Sequence, residues 1–189
     1  MNLSEFISQF NFIITMSQKN LPLVVMMVGV LWLVQLVNAA LQYRLNIYGL
    51  VPRTAHGLVG IICCPFLHGS FEHLFMNSVA LFILLNLMLL YGLHTFVMVT
   101  IFIVVASGVL MWCFGRRAIH VGASGLVMGY WAYVLLTAYQ QGTVIAILIA
   151  VLCLYYLRGL IVNLMPGGEK VSWEGHVFGF LAGVAAVFL

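Results

Sequence analysis

Two short stretches of this sequence contain the residue types that nucleophilic catalysis requires. Ser124 lies between Gly122 and Gly125, and His176 lies close to the end of the chain. A serine hydroxyl becomes a nucleophile when a neighbouring imidazole accepts its proton. If Ser124 opens a helix, unpaired backbone N–H groups and the helix dipole would stabilise an oxyanion beside it. The alternative interpretation is that Ser124 only caps that helix.

Glycines at matching intervals predict that these two stretches meet. His176, Gly179 and Gly183 follow one another at i, i+3 and i+7, so they share one helical face. Gly125 and Gly129 form a corresponding ridge just beyond the serine. Small residues in this pattern let membrane helices pack closely, which would bring the histidine beside the serine. The alternative is a histidine that is merely hydrogen-bonded at a helix end.

A second polar pair could complete such a site. His73 and Asn77 lie at i and i+4 on a predicted helix, and both side chains can donate hydrogen bonds. One interpretation is that they form an oxyanion hole with the backbone N–H of Ser124. The other is that they are polar contacts between helices, because an asparagine within a span is otherwise unfavourable.

The composition places these residues in a membrane. The chain of 189 residues is 65% hydrophobic and only 6% charged, whereas soluble proteins carry about 25% charged residues. This composition excludes a soluble enzyme, a disordered chain and a nucleic-acid-binding protein. The acidic residues are four glutamates, with no aspartate, so a mechanism that needs a buried aspartate is excluded as well. We therefore predict an integral, multi-pass protein whose partner is the lipid bilayer.

The uncharged runs predict an all-α bundle of six transmembrane helices in one domain over residues 1–189. A crossing helix needs about 20 apolar residues. Nothing charged lies between Lys19 and Arg44, between Glu72 and Arg116, or between Arg117 and Arg158. The predicted spans are 21–41, 72–92, 94–114, 124–139, 142–158 and 172–189.

Three stretches are poor spans. Arg53–Phe71 is interrupted by glycines and a proline, and we predict a partly embedded loop there. Arg158–Val171 contains Pro166-Gly167-Gly168 and is predicted to be an interfacial loop. Residues 1–20 match a basic signal peptide poorly.

The cysteines are predicted to be inert thiols, since none has CxxC or zinc-ligand spacing: Cys63, Cys64, Cys113 and Cys153.

Taken in this order across six predicted spans, the motifs resemble those of the rhomboid family of intramembrane serine proteases. The resemblance covers essentially the whole chain, and it rests on residues in three predicted helices and the loop before the second. It implies a Ser–His dyad of Ser124 and His176 and an oxyanion site of Ser124, His73 and Asn77, with no cofactor. The matching supporting residues are Gly122, Gly125, Gly129, Gly179, Gly183 and His68.

The resemblance also implies an orientation, which the charges contradict. It implies a cytoplasmic N-terminus and an active site that opens to the outside, here in a bacterial inner membrane. Lys19 would then be the only basic residue on the inside. Cytoplasmic loops ordinarily carry the excess of lysine and arginine. The outside would hold the others: Arg44, Arg53, Arg116, Arg117, Arg158 and Lys170.

Three positions depart from the family pattern. A Trp-Arg pair is common in the first loop of rhomboids, where this chain has Val59-Gly60. A tyrosine that stacks on the catalytic histidine is replaced by Met128, and no acidic residue follows Tyr91-Gly92-Leu93. These departures affect the positioning of the histidine and the substrate preference more than the type of reaction.

A rhomboid-like protease would cleave transmembrane segments of other proteins, and three features would serve that reaction. A row of polar residues is predicted to line a wet cavity. The fifth span and the Pro166-Gly167-Gly168 loop are candidates for a lateral gate and a lid. Glu174 is expected to face solvent, although it could orient His176. The polar row consists of His68, Ser70, His73, Asn77 and His120.

Other functions remain open at this point. An inactive rhomboid-like chaperone for membrane proteins would keep the fold, although such relatives usually lose the serine or the histidine. A haem-binding electron carrier could use His73 and His176 as axial ligands. A zinc protease is disfavoured because the chain has no HExxH motif. A transporter is disfavoured because the chain shows no internal repeats.

Overall fold

The structure is a computed structural model that describes residues 2–159 and 172–189. Within these residues the regular structure is helical, which confirms the all-α prediction; one isolated bridge pairs Leu50 with His120. Two short 3₁₀ helices lie between the first two α-helices, and a third follows the second α-helix. The α-helices are α1 (Leu3–Ala40), α2 (Gly60–Cys63), α3 (Phe71–Leu90), α4 (Leu93–Phe114), α5 (Ser124–Gln141), α6 (Val144–Tyr156) and α7 (Trp173–Ala186).

Three of the described helices, α1, α3 and α4, are long and apolar enough to cross a membrane. The bounds of α3 and α4 lie within two residues of the predicted second and third spans. Three further helices have more than ten residues but are shorter than these: α5 has 18 residues, α6 has 13 and α7 has 14. The count of six crossings and the single domain over 1–189 therefore stay predictions.

The first helix is much longer than the predicted span 21–41. It begins at Leu3 because Asn2 and Glu5 form a capping box: the Asn2 Oδ1 accepts a hydrogen bond from the Glu5 N–H at 2.9 Å, and Glu5 Oε2 accepts one from the Asn2 N–H at 3.1 Å. Its 38 residues continue through Pro22 and correspond to about 57 Å of helix. The hydrocarbon layer is about 30 Å thick, so α1 extends beyond it.

The centre of the bundle is α5, which packs against α3, α4, α6 and α7. Its middle turns are almost fully buried, with Met128, Tyr130 and Val134 each at most 1% exposed. A helix that is apolar on every face is stable when other helices surround it. The active-site candidates at the N-terminus of α5 therefore lie on the most enclosed helix of the bundle.

The first loop folds into short helical turns against α4. Ile61 in α2 packs against Gly108 in α4. A Cβ added to Gly108 would lie 2.6 Å from the Ile61 Cγ2. Arg53 donates hydrogen bonds to the carbonyls of Cys113 and Gly115, both at 2.9 Å. These bonds satisfy carbonyls at the C-terminus of α4 that have no partner within the helix. The loop is thus a packed part of the fold, while its depth in a membrane stays a prediction.

One predicted segment cannot be compared with the structure. The Pro166-Gly167-Gly168 lid, together with residues 160–171, lies outside the described residues. The four cysteines all lie within them, and all four are free thiols.

Candidate active site

The turn before α5 presents Ser124 at the start of the helix. Gly122 has a φ of +125°, a conformation that residues with a Cβ rarely adopt. Ala123 occupies the N-cap position, so Ser124 is the first residue of the helix and its hydroxyl is not the capping group. As a first-turn residue, it has a backbone N–H without an acceptor inside the helix. That N–H is a donor that a developing oxyanion could use.

Helices α5 and α7 touch through the two glycine ridges. A Cβ added at Gly179 would overlap the carbonyl oxygen of Gly125, and one added at Gly183 would overlap that of Gly129. In the opposite direction, a Cβ on Gly129 would lie 3.1 Å from the Gly179 carbonyl oxygen. Backbone lies directly on backbone, a contact that only glycine permits here. It fixes the register of α7 along α5.

Ser124 and His176 line the same cavity, which has a volume of about 780 Å³. The serine is half-buried, and the imidazole is only 7% exposed. The cavity opens between α3, α5, α7 and the loop that joins α4 to α5. The structure therefore brings the predicted nucleophile and the predicted base to one cavity.

His73 and Asn77 approach this space from α3. An added Cβ on Gly122 would lie 2.6 Å from the His73 Cε1 and 2.9 Å from its Nε2, and 3.7 Å from the Asn77 Nδ2. Both side chains also line the cavity. The Asn77 Nδ2 is buried and has no acceptor among the described residues. A buried amide donor without an acceptor is unfavourable, and its position suits it to bind an oxyanion.

Two neighbouring backbone donors are already occupied. The Gly122 N–H donates to the Cys64 carbonyl at 2.9 Å, and the Ala123 N–H donates to the His68 Nε2 at 3.4 Å. These contacts hold the turn before Ser124 in place. The N–H of Ser124, like those of the next two residues, lies in the first turn of α5 and has no acceptor within its helix.

His68 does not line the cavity, which corrects the prediction that it belongs to the polar row. It is fully buried, at 0% exposure, behind His73, and the two rings meet edge to face at 5.2 Å. Burial, together with the neighbouring His73, lowers the pKa of His68 to about 4. A neutral ring can accept the Ala123 hydrogen bond at ordinary pH, so His68 supports the turn before the serine. The other four residues of the row line the cavity: Ser70, His73, Asn77 and His120.

Glu174 does not face solvent, so that expectation is wrong. It is 8% exposed, and its Oε1 lies 3.4 Å from the Nε of Arg116. The carboxylate can be buried because this arginine, distant in the sequence, compensates its charge. Nothing in the sequence predicted this pairing, since Arg116 lies in the loop after the third predicted span and Glu174 lies in the sixth span.

His120 joins the same group of residues through two hydrogen bonds. Its Nε2 donates to the Arg116 carbonyl at 2.9 Å, and the neutral ring then accepts at Nδ1 from the Ser172 hydroxyl, also at 2.9 Å. Burial lowers the pKa of His120, so the ring is neutral at ordinary pH. Its role as a structural link between two loops was not predicted from the sequence.

The described residues hold no group of three or more histidine, cysteine, aspartate or glutamate side chains placed to bind a metal ion. The chemistry that the site offers consists of a serine hydroxyl, an imidazole and hydrogen-bond donors directed at one cavity.

Comparison with known proteins identifies the family. A family model described as the rhomboid domain matches residues 55–189, which is more than half of the chain. The chain belongs to the rhomboid family. This rhomboid is therefore an integral membrane protein, and the part of the chain that matches contains every residue of the site described above.

The curated relatives of this rhomboid are mycobacterial. It is 35% identical over 173 residues to uncharacterized proteins of Mycobacterium bovis and Mycobacterium tuberculosis, with 86% of this chain and 71% of each relative covered. An uncharacterized protein of Mycobacterium leprae is 31% identical over 174 residues, with 85% of this chain and 67% of the relative covered. The names of these relatives record no activity.

Proposed function

We propose that this rhomboid is an intramembrane serine endopeptidase that uses a dyad of Ser124 and His176. The observation that carries the proposal is the shared cavity: both side chains line it, at the ends of two helices whose glycines interlock. Rhomboids are intramembrane serine proteases or inactive relatives of them. Retention of both residues, together with donors for an oxyanion, supports an active member.

The proposed reaction is hydrolysis of a peptide bond through an acyl-enzyme. The Ser124 Oγ attacks the scissile carbonyl carbon while His176 accepts the hydroxyl proton. The tetrahedral intermediate collapses with loss of the amine, to which His176 returns the proton. Water then attacks the ester carbonyl while His176 accepts a proton from it, and His176 returns this proton to the Ser124 Oγ as the new carboxylic acid leaves.

Three donors are proposed to stabilise the oxyanion: the backbone N–H of Ser124 and the side chains of His73 and Asn77. A single such donor typically lowers the barrier by about 2.7–4 kcal/mol. The two side chains are proposed to need little reorganisation, because both lie close to the Gly122 turn. This supports placing the carbonyl oxygen of the substrate between Asn77 and the start of α5.

A dyad without a carboxylate must orient its imidazole by other means. Glu174, the nearest acidic residue in the sequence, is engaged with Arg116. The backbone contact between Gly179 and Gly125 lies one turn beyond His176 and restricts how far α7 can move relative to α5. Helix packing is therefore proposed to do the orienting that an aspartate does in a triad.

The proposed substrate is a transmembrane segment of another protein. Its helix must unwind locally, because hydrogen bonds within a helix shield the peptide bond, so glycine, alanine or proline near the membrane surface would favour cleavage. The proposed lateral gate is α6, in which only Ala146 and Cys153 are buried. A helix with so little buried surface can move at small energetic cost.

The test is cleavage of a reporter transmembrane substrate by the purified protein in liposomes. The wild type is expected to give a defined cleavage product, whereas Ser124→Ala and His176→Ala should give none. Equal cleavage by all three proteins would refute the dyad. Binding of the reporter without cleavage by the wild type would instead support the chaperone hypothesis.

A further inference from the structure

The first turn of α7 carries an arrangement that the dyad mechanism does not use. Ser172 occupies the N-cap position, where a serine ordinarily accepts a hydrogen bond from a backbone N–H of its own helix. Here its hydroxyl makes no such bond and contacts His120 instead. Two residues later, Glu174 pairs with Arg116. Both contacts connect α7 to the loop between α4 and α5.

We propose that Arg116, His120, Ser172 and Glu174 form a clamp that holds the first turn of α7 in place and thereby sets the position of His176. The inference rests on the proposed function, because it concerns how the catalytic base is oriented. Arg116, His120 and Ser172 line the cavity, but the role proposed here acts through His176, so the four are positioning residues. The glycine ridge fixes α7 from His176 onward, and the clamp fixes the turn that precedes it.

The loop between α4 and α5 can serve as the fixed half of the clamp because hydrogen bonds also attach it to the first loop. His120 and Leu50 exchange two backbone hydrogen bonds, of 2.8 and 2.9 Å. Gly49 permits this approach, since a Cβ there would lie 2.8 Å from the His120 carbonyl oxygen. Near the beginning of the loop, Arg53 donates to the Gly115 carbonyl. The loop is therefore attached to the packed first loop at both of its ends.

The chemistry of the contacts shows why they would resist movement. His120 donates to the Arg116 carbonyl and accepts from Ser172, so its ring is fixed at both nitrogens. The charged and titratable groups near the ring are Arg116 and Glu174. The carboxylate also lies in the first turn of α7, where the helix dipole favours a negative charge. Loss of either contact frees the turn that leads into His176.

The test compares variants that break each contact with variants that preserve it. Ser172→Ala and Glu174→Gln are expected to lower kcat for reporter cleavage about 10-fold to 100-fold with little change in KM, because small displacements of a catalytic base have effects of this size. Ser172→Thr, which keeps the hydroxyl, should restore most of the rate. Arg116→Met should behave like Glu174→Gln, while Arg117→Met, which removes an exposed charge next to it, should leave kcat unchanged.

A second measurement does not depend on catalysis. In a variant without the native cysteines, spin labels at Arg117→Cys, an exposed position, and at Trp173→Cys, a partly exposed one, would report the distance between the loop and the first turn of α7. The clamp predicts a narrow distance distribution that Ser172→Ala and Glu174→Gln broaden. The unfolding temperature of each variant would be measured to exclude general loss of structure.

The outcomes separate this inference from the proposed function. If the wild type cleaves the reporter and the two clamp variants match it in kcat and in distance distribution, the clamp is refuted and the dyad stands. If the wild type does not cleave, the proposed function fails, and the distance distributions alone decide whether the clamp exists. A rise in KM without a fall in kcat would also refute a positioning role.

Discussion

At the residue scale, the candidate site consists of a few polar side chains, and their neighbours in the fold determine what each can contribute. Ser124 and His176 could be predicted from the sequence because glycines flank the serine and follow the histidine at helical spacing. His68 and Glu174 could not be placed correctly. The first is a buried support of the serine turn, and the second pairs with an arginine 58 positions earlier in the chain. Pairings between distant residues leave no pattern in one sequence.

Asn77 is the residue whose removal isolates the oxyanion contribution. Asn77→Ala should lower kcat about 100-fold to 1,000-fold with KM nearly unchanged, since a donor of this kind acts mainly in the transition state. Steady-state cleavage of the reporter substrate measures both constants. Asn86→Ala is the matched control: it lies on the same helix, towards its other end, and should cleave at the wild-type rate. Equal kcat in the two variants would contradict the oxyanion role.

Gly122 tests the geometry of the serine turn. A Cβ there is strained at a φ of +125° and would lie 2.6 Å from the His73 ring, so Gly122→Ala should abolish most of the cleavage by displacing His73. Gly142 also has a positive φ, of +61°, but nothing lies within 4 Å of its Cβ position. Both substitutions should cost about 1–3 kcal/mol of stability. Activity should fall in the first variant alone, and full activity of Gly122→Ala would contradict the described turn.

At the element scale, the helices that carry the site were predictable and the loops that connect them were not. Residues 73–90 and 93–114 form uncharged apolar runs, so the bounds of α3 and α4 follow closely from the sequence. In the first loop, which forms short helical turns, Gly60 lies directly on the backbone of Leu50. The resemblance aligns this position with the Trp-Arg pair that many rhomboids carry. Here the hydrogen bonds of Arg53 attach the loop to α4.

The glycine ridge predicts the most sensitive helix–helix contact. Gly179→Ala must push α7 away from α5, because the added Cβ overlaps a backbone carbonyl that cannot rotate aside. We expect a loss of cleavage of about 100-fold or more, with a lower unfolding temperature in detergent. Gly29→Ala in α1 has nothing within 4 Å and should stabilise the protein slightly, since alanine favours a helix. If the two variants behaved alike, the ridge would not be positioning His176.

At the scale of the whole molecule, the composition alone predicted a membrane protein, and the family match agrees. The predicted span 21–41, drawn from the uncharged run after Lys19, covers only the second half of α1, which the capping box of Asn2 and Glu5 starts at Leu3. The orientation in the membrane remains a prediction, and two lines of reasoning give opposite orientations. The family resemblance places the cavity outside, whereas the arginines near it would favour the cytoplasm.

Labelling of single cysteines decides between these orientations. In a variant without native cysteines, Ala118→Cys lies in the loop beside the cavity and Gln141→Cys lies at the far end of α5; both positions are exposed. The resemblance predicts that an impermeant maleimide applied to spheroplasts labels position 118 and not position 141. The reverse pattern would place the cavity in the cytoplasm, as the excess of arginines near it predicts.

The central claim, that Ser124 is a nucleophile activated by His176, is tested most directly by mass spectrometry after reaction with a fluorophosphonate. We expect one adduct per chain, mapped to Ser124 and absent from Ser124→Ala. Its rate of formation should fall at least about 1,000-fold in His176→Ala, as for other serine hydrolases that lose their base. An adduct on another serine, or equal rates with and without the imidazole, would contradict the account.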